Sequence, residues 1–235
     1  MHFPPAFTAD SQSPPNQMNQ MHQSQWHTRA ATLDSDGSLP EETLRECVHD
    51  VGAGTDADTL ERLEALTEHS TALAILIATR RPGTGPAIPV FPGVRRLNSA
   101  SDDECLRLAA VAVGLGRRSV DVAIRQARER GERPSGLPHD PPHWLLADAA
   151  TDVDAARLLV LNAASGESTG AAAVLIAAAA AAVRAADVAQ RLNDASDAQT
   201  QASTIDLLAR QARGLLSVAG GEDELRRRAA DTLLA

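Results

Sequence analysis

The stretch from Pro138 to Trp144 holds the densest group of side chains in this chain that could do chemistry. It reads PHDPPHW, and its His139, Asp140 and His143 could supply an acid and a base to a bound substrate. Trp144 would form an apolar wall beside them, in a bend that the prolines hold stiff. The alternative is a helix start in which Asp140 caps the helix and the histidines are solvated. A solvated helix start is the more common structure for such a pattern. The acid–base interpretation makes His139, Asp140 and His143 the candidate catalytic residues.

Arginines on one predicted helix form the second candidate site. The series consists of Arg117, Arg118, Arg125 and Arg128. Guanidinium groups in such a series could bind a phosphate or a carboxylate, and Arg118 is our candidate for substrate binding, with Trp144 as the apolar contact. An arginine series with acidic neighbours is also typical of a solvated helix face.

The remaining histidines and the cysteines form no metal-binding pattern. His2, His22 and His27 have no fixed spacing and no carboxylate or cysteine beside them. Cys47 and Cys105 lie in separate predicted helices without CxxC spacing, which is typical of a reduced, cytoplasmic protein. The sequence also lacks a P-loop, a dinucleotide-binding glycine fingerprint and a nucleophile elbow. It therefore predicts no metal.

The charge pattern argues against nucleic acid as a partner. The chain carries a net charge of −9, and its 22 basic residues are all arginines. The one basic run, Arg226 to Arg228, sits among acidic residues. The absence of lysine together with abundant alanine indicates a GC-rich genome, such as an actinobacterial one.

The N-terminal region has the composition of an unstructured segment. Residues 1–37 are rich in Pro, Gln, Ser and Asn and show little periodicity, which predicts a disordered or strap-like arm. No basic region followed by an apolar run marks a secretory signal. The longest apolar stretch, Ala171 to Val183, is short and alanine-rich for a membrane span. We therefore expect a soluble, cytoplasmic protein with no membrane partner.

A capping pattern and a proline-rich break divide the middle of the chain. Ser38 and Glu41 form a capping box, which starts a helical segment over 38–80 with an interruption near Ser70. Residues 81–100 contain four prolines and three glycines and cannot form a regular helix, so we interpret them as a linker. Residues 101–235 follow as the main helical unit.

The main unit contains four strong helical patterns and a closing helix. Ser101 and Glu104 form a second capping box, which starts a long helix that should end near Arg130. The next three helices should cover about 143–164, 170–192 and 204–218. Gly220 and Gly221 should stop the last of them before a terminal helix. Long antiparallel helices with short connections predict an all-α, up-and-down four-helix bundle with a small N-terminal helical extension.

The alanine-rich helix over 170–192 has no polar side chain in its first half. Such a helix must be covered on all sides, either at the centre of the bundle or in a subunit interface. The second possibility predicts a homodimer or hetero-oligomer that forms through this helix.

Four segments of the main unit resemble, in order and nearly in spacing, the C-terminal helical domain of acyl-CoA dehydrogenases. The first two are RLAAVAVGLGRRSVDVAIRQARER and WLLADAATDVDAARLLVLNAA. VRAADVAQRL resembles the helix before the family's flavin loop, and IDLLARQARGLLSVAGGEDELRRRAADTLLA resembles its closing helices around a glycine turn. The resemblance covers roughly residues 100–235 and implies the family's helical bundle.

The same resemblance places unusual residues where the family binds its flavin and removes a proton. GERPSGLPHD replaces the Phe-Gly pair and the Gln that meet the flavin, and Asn193, Asp194 and Ala195 replace the His-Gly-Gly phosphate loop. Asp194 adds a negative charge near a would-be pyrophosphate. The family's catalytic Glu aligns with Ala219 or Gly220. The resemblance therefore implies that the determinants of FAD binding are lost and that no cofactor is bound.

Asp102 matches a residue that some members of the family have at the start of this helix. In some relatives an Asp at the start of this helix contacts the acyl thioester with an Arg one turn later, and that second position is Cys105 in this chain. Asp102 is thus a third candidate for substrate binding. Its alternative role is that of a first-turn acid, which the helix dipole favours.

The resemblance implies three alternative functions. The first is a flavin-independent relative recruited to non-redox chemistry, namely cyclisation, isomerisation or dehydration of a hydrophobic acyl or polyketide-like substrate in specialised metabolism. The second is a non-catalytic subunit or scaffold of a dehydrogenase complex. The third is an FAD-dependent dehydrogenase that a partner chain completes, because only residues 81–100 stand where the family has its flavin-covering β-domain. The sequence leaves open whether the protein is an enzyme.

Overall fold

The computed structural model describes seven stretches of the chain, and they are 41–52, 54–67, 70–80, 84–129, 141–166, 170–193 and 199–234. The helices in these stretches are α1 Glu41–Val51, α2 Ala57–Thr67, α3 Thr71–Thr79, α4 Asp102–Glu129, α5 Pro141–Ala164, α6 Ala171–Asn193, α7 Gln199–Val218 and α8 Glu222–Leu234. The described stretches contain no strand beyond one isolated bridge between Ala87 and Arg95. The all-α fold class is confirmed. The predicted arm over 1–37 and the Ser38 cap lie outside the described residues.

The predicted interruption near Ser70 separates α2 from α3. The Ser70 hydroxyl caps α3 by accepting a hydrogen bond from the Leu73 amide at 3.2 Å. Arg80 ends the helix in the left-handed conformation, and its amide donates to the Leu76 carbonyl. Every residue of α3 is buried, which explains its continuous apolar run.

The predicted capping box at the start of α4 is confirmed. The Ser101 amide donates to the Glu104 carboxylate at 2.7 Å, and the Glu104 amide donates to the Ser101 hydroxyl at 3.2 Å. α4 then continues for 28 residues, close to its predicted end.

The alanine-rich helix α6 lies at the centre of the bundle and packs against α4, α5, α7 and α8. Its side chains Leu175, Ala182 and Ala186 are fully buried. Small alanine side chains allow the neighbouring helices to approach closely, so the helix is covered mainly by its own chain. Whether a second subunit also contacts α6 stays a prediction.

α6 is the helix that could cross a membrane by length and composition alone. The stretch Ala171–Leu192 has a mean hydropathy of 1.8, and half of its most apolar window is buried inside the fold. Core helices of soluble proteins have the same properties, so the structure is compatible with the soluble protein that the sequence predicts.

α7 begins at Gln199, five residues before its predicted start at about 204. The segment QTQAS was assigned to a loop because it is polar, but it contains neither glycine nor proline and can continue a helix. The predicted stop is confirmed, since Gly220 and Gly221 follow α7 with φ of 109° and 108°. The Gly221 amide donates to the Leu216 carbonyl and closes the helix end.

The described part of the predicted linker, residues 84–100, is irregular and packs on the bundle. Phe91, Val94 and Leu97 are buried in the common core. The Leu97 amide donates to the Val218 carbonyl at the end of α7, at 2.8 Å. This segment therefore covers the turn between α7 and α8.

Candidate functional site

The candidate catalytic bend lies mostly outside the described part of the chain. His139 and Asp140 are outside it, and His143 is described only as a backbone position in the first turn of α5. Trp144 follows on α5 with a side chain that is 60% exposed. The acid and base set of this bend stays a prediction.

The three candidate substrate-binding residues lie at separate places on the bundle. Asp102 and Arg118 are both on α4, and sixteen helical residues separate them by roughly 24 Å. α4 and α5 meet at Gly116 and Val153, whereas Trp144 lies about 14 Å further along α5. No single pocket of the fold therefore collects Asp102, Arg118 and Trp144.

Asp102 forms an ion pair with an arginine that the sequence could not identify. Arg228 of α8 donates to the Asp102 carboxylate and to the Ala100 carbonyl. Its guanidinium also lies 3.7 Å from the Cys105 sulfur. Burial raises the pKa of the Cys105 thiol to about 11, despite the opposing effect of Arg228. The cluster fixes α8 to the start of α4 and holds Cys105 as a thiol.

The arginine series on α4 divides into different roles. Arg117 pairs with Glu64, a nearly buried carboxylate of α2. Glu64 also accepts a hydrogen bond from Arg157 of α5 at 3.1 Å, and Arg157 reaches Glu61 at 2.6 Å. This network ties three helices together, whereas Arg118 borders a separate groove.

Arg118 borders a groove with a volume of about 480 Å³ between α3, α4, α7 and the segment over 84–100. Its lining residues are Ser70, Thr71, Ala72, Pro89, Val90, Pro92, Arg118, Leu207, Arg210 and Gln211. A concave site of this volume, with apolar walls and a few polar groups, is typical of a small-molecule site.

Several polar contacts hold the groove in shape. The Thr71 hydroxyl donates to the Gln211 side-chain oxygen at 3.1 Å. Arg118 donates to the Thr67 carbonyl at 3.4 Å, and Arg210 donates to the Asp206 carbonyl at 3.2 Å. Sequence analysis missed Thr71, Arg210 and Gln211, because Thr71 and Gln211 lie 140 residues apart and neither belongs to a motif.

The turn between α7 and α8 is closed by the segment that precedes α4. Ala219 has no exposed surface, and Gly220 is buried. The Arg96 guanidinium donates to the Gly220 carbonyl. A Cβ atom on Gly220 would lie 3.3 Å from the Asn98 carbonyl oxygen. The turn is therefore closely packed against Asn98 on this side.

Metal binding has no support among the residues that the structure describes, where no group of three or more His, Cys, Asp or Glu side chains converges. Asp152, one of two acids a turn apart on α5, pairs with Arg184 at 2.6 Å. It therefore has a structural partner.

A family model described as the C-terminal domain of acyl-CoA dehydrogenase matches residues 92–232. This match covers more than half of the chain and includes all of α4 to α7 and most of α8. The chain therefore belongs to the acyl-CoA dehydrogenase family, and its bundle is that family's C-terminal helical domain. No curated protein matches the chain.

Proposed function

We propose that this member of the acyl-CoA dehydrogenase family works without flavin. In this proposal it carries out non-redox chemistry, a cyclisation, isomerisation or dehydration, on a hydrophobic acyl or polyketide-like substrate in the cytoplasm. The observation that carries the proposal is the buried turn at Ala219 and Gly220, one of which aligns with the catalytic Glu that the resemblance expects. Neither residue has a side chain that can accept a proton, and the nearby Glu222 forms an ion pair with Arg226.

The packing of the turn between α7 and α8 supports the proposal. The backbone of Leu97 and Asn98 lies against Gly220, and the Leu97 amide donates to the Val218 carbonyl. The loop position with Asp194 and Ala195, which replaces the phosphate-binding glycines, lies outside the described residues.

The groove beside Arg118 is the proposed substrate site. Its walls come from four elements that the core holds rigidly, so it can fold an apolar chain into one conformation. Arg118 stabilises negative charge on the substrate there. His143 and Asp140 remain the proposed base and acid, at or just before the first turn of α5. Because no described residue of α5 lines the groove and the neighbouring Trp144 lies about 14 Å along α5 from its contact with α4, the substrate must extend beyond the groove to reach them.

The mass of the product tests this proposal directly. The purified protein is incubated with a panel of medium-chain hydroxyacyl and ketoacyl thioesters and the corresponding acids, and products are analysed by mass spectrometry. Isomerisation and carbon–carbon cyclisation leave the mass unchanged, and dehydration removes the elements of water. Cyclisation of a hydroxyacyl compound to a lactone releases the thiol from a thioester or water from an acid. A product that has lost two hydrogens would contradict the proposal.

Substitutions test which residues take part in turnover and in substrate binding. His143→Gln should abolish turnover while the protein stays folded, and His49→Gln is the matched control, because His49 is an exposed histidine on α1. Arg118→Gln should weaken substrate binding, whereas Arg125→Gln, on the exposed side of the same helix, should not. Equal effects of the paired variants would contradict the assignment.

A second candidate function, a non-catalytic subunit or scaffold, is favoured by the outer face of α5. Trp144 and Leu158 are each 60% exposed there, and Leu159 is 39% exposed. Large exposed apolar side chains on one helix are typical of a binding surface. Light scattering after size exclusion tests it, since Leu158→Asp should dissociate an oligomer and Asn162→Asp should not.

A further inference from the structure

The groove beside Arg118 contains a buried amide group with an unused donor. Gln211 is 93% buried, with an exposed fraction of 7%. Its Oε1 atom accepts the hydrogen bond from Thr71, whereas its Nε2 atom has no acceptor among the described residues. The Nε2 atom itself is not fully buried, so it reaches the groove, where a ligand that supplies an acceptor can replace water.

The N-terminus of α3 adds backbone donors to the same groove. The Ser70 hydroxyl accepts a hydrogen bond from the Leu73 amide, and the Ser70 carbonyl accepts one from the Ala74 amide. The amides of Thr71 and Ala72 keep no acceptor within the described part of the chain. Both residues line the groove, so the positive end of the α3 dipole faces it.

The charge of the groove has the opposite sign to that of the chain. Two arginines, Arg118 of α4 and Arg210 of α7, line it, and no acidic side chain is among the described residues of its lining. The chain as a whole carries a net charge of −9. Arg210 uses its Nε atom on the Asp206 carbonyl and has no carboxylate partner among the described residues. The groove is therefore a local anion site.

The rest of the lining is apolar, and it consists of Ala72, Pro89, Val90, Pro92 and Leu207. We propose that the groove binds the free carboxylate of a medium-sized organic acid. The carboxylate takes the Gln211 Nε2 donor and the arginines, and the apolar body of the acid lies against the prolines and Leu207. This inference rests on the proposed function and names its substrate class as a free acid, where the family resemblance implies a thioester.

Calorimetric titration with octanoate tests this assignment. Octanol is the control, because it has the same chain and no charge, and inorganic phosphate is the control for an anion without an apolar body. Octanoate should bind, with octanol at least about tenfold weaker and phosphate weaker still. Equal binding of octanol, or tighter binding of phosphate, would overturn the assignment.

Two variants place the ligand in the groove. Gln211→Leu removes the Nε2 donor, and Arg210→Gln removes an exposed charge without disturbing the core. Each should weaken octanoate binding by about tenfold. Arg213→Gln is the control on the same helix, because Arg213 pairs with Asp187 away from the groove. If Gln211→Leu does not fold, the octanoate affinity of Arg210→Gln is the test. An unchanged affinity in Arg210→Gln would overturn the proposal.

Titration with octanoyl-CoA distinguishes a failure of the free-acid inference from a failure of the proposed function. If the thioester binds in an Arg210-dependent manner and octanoate does not, the free-acid inference fails and the acyl-binding proposal stands. If octanoate binds as described but products lose two hydrogens, the non-redox proposal fails and the free-acid site stands.

Discussion

Ala219 marks the difference between this chain and the dehydrogenases that it resembles. Ala219 is fully buried at the end of α7, beside a turn in which the backbone of Leu97 and Asn98 lies against Gly220. The residue identity follows from the sequence alone. The closed environment does not, because it depends on how the segment over 84–100 packs.

Replacing this residue should show how tightly the turn is closed. Ala219→Glu places a longer, charged side chain in an enclosed space, and it should lower the free energy of unfolding by about 3 kcal/mol. Ser217→Glu is the control, because Ser217 is an exposed residue of α7 only two positions before Ala219. Urea denaturation measures both, and a stable Ala219→Glu protein would contradict the closed turn.

The two cysteines should be unreactive in the folded protein. Cys47 and Cys105 are both buried, and burial raises the pKa of Cys105 from 9.0 to about 11. A thiol reagent at neutral pH should therefore modify neither residue until urea unfolds the chain. Rapid modification of the native protein would contradict their burial.

The raised pKa of Cys105 makes the free energy of unfolding depend on pH. Above pH 9.0 the unfolded chain loses the Cys105 proton while the folded chain retains it, so stability falls between pH 9.0 and about 11. Cys105→Ala should reduce that fall, and urea midpoints across this range measure it. An identical pH dependence in both proteins would contradict the shift.

Helices of this fold approach one another closely at glycines. Gly114 of α4 lies against the Glu64 carbonyl of α2, and a Cβ atom there would come within 2.9 Å of the Thr67 Cβ. α2 and α4 can pack at this distance only because position 114 has no side chain.

A methyl group at this contact should separate α2 from α4. Gly114→Ala should lower the free energy of unfolding by about 2 kcal/mol, although alanine favours a helix more than glycine does. Gly214→Ala is the comparison, because the nearest atom there is a Val90 methyl group on an irregular segment and not a backbone carbonyl. An equal loss in both variants would contradict the close approach.

The elements with local signals were predictable from the sequence, and the long-range contacts were not. The Ser101 and Glu104 capping box and the stop at Gly220 depend on neighbouring residues, so their patterns identify them. Gln211 and Glu64 acquire their roles from partners on distant helices. The positions of the helices could therefore be predicted from the sequence, but the groove and the Glu64 network could not.

The whole molecule packs as one body over the described residues. α2 and α3 lie against α4, and the buried side chains of the N-terminal helices share one core with the bundle. The sequence divides the chain at residues 81–100, but Phe91 and Leu97 from that segment are buried in the same core.

Removing the N-terminal helices should therefore unfold the bundle. A fragment of residues 101–235 would expose the side of α4 that α2 and α3 cover, so we expect low helicity and aggregation. The full chain should unfold in a single transition. Circular dichroism during thermal unfolding measures both, and a stable fragment with native helicity would contradict a shared core.

The central claim is that the family's bundle is kept and its flavin chemistry is lost. The most direct measurement is the visible absorption spectrum of the protein purified after expression with added riboflavin, and again after incubation with FAD and gel filtration. The account predicts a colourless protein without a flavin band. A yellow protein with one flavin per chain, bleached by an acyl-CoA, would contradict it.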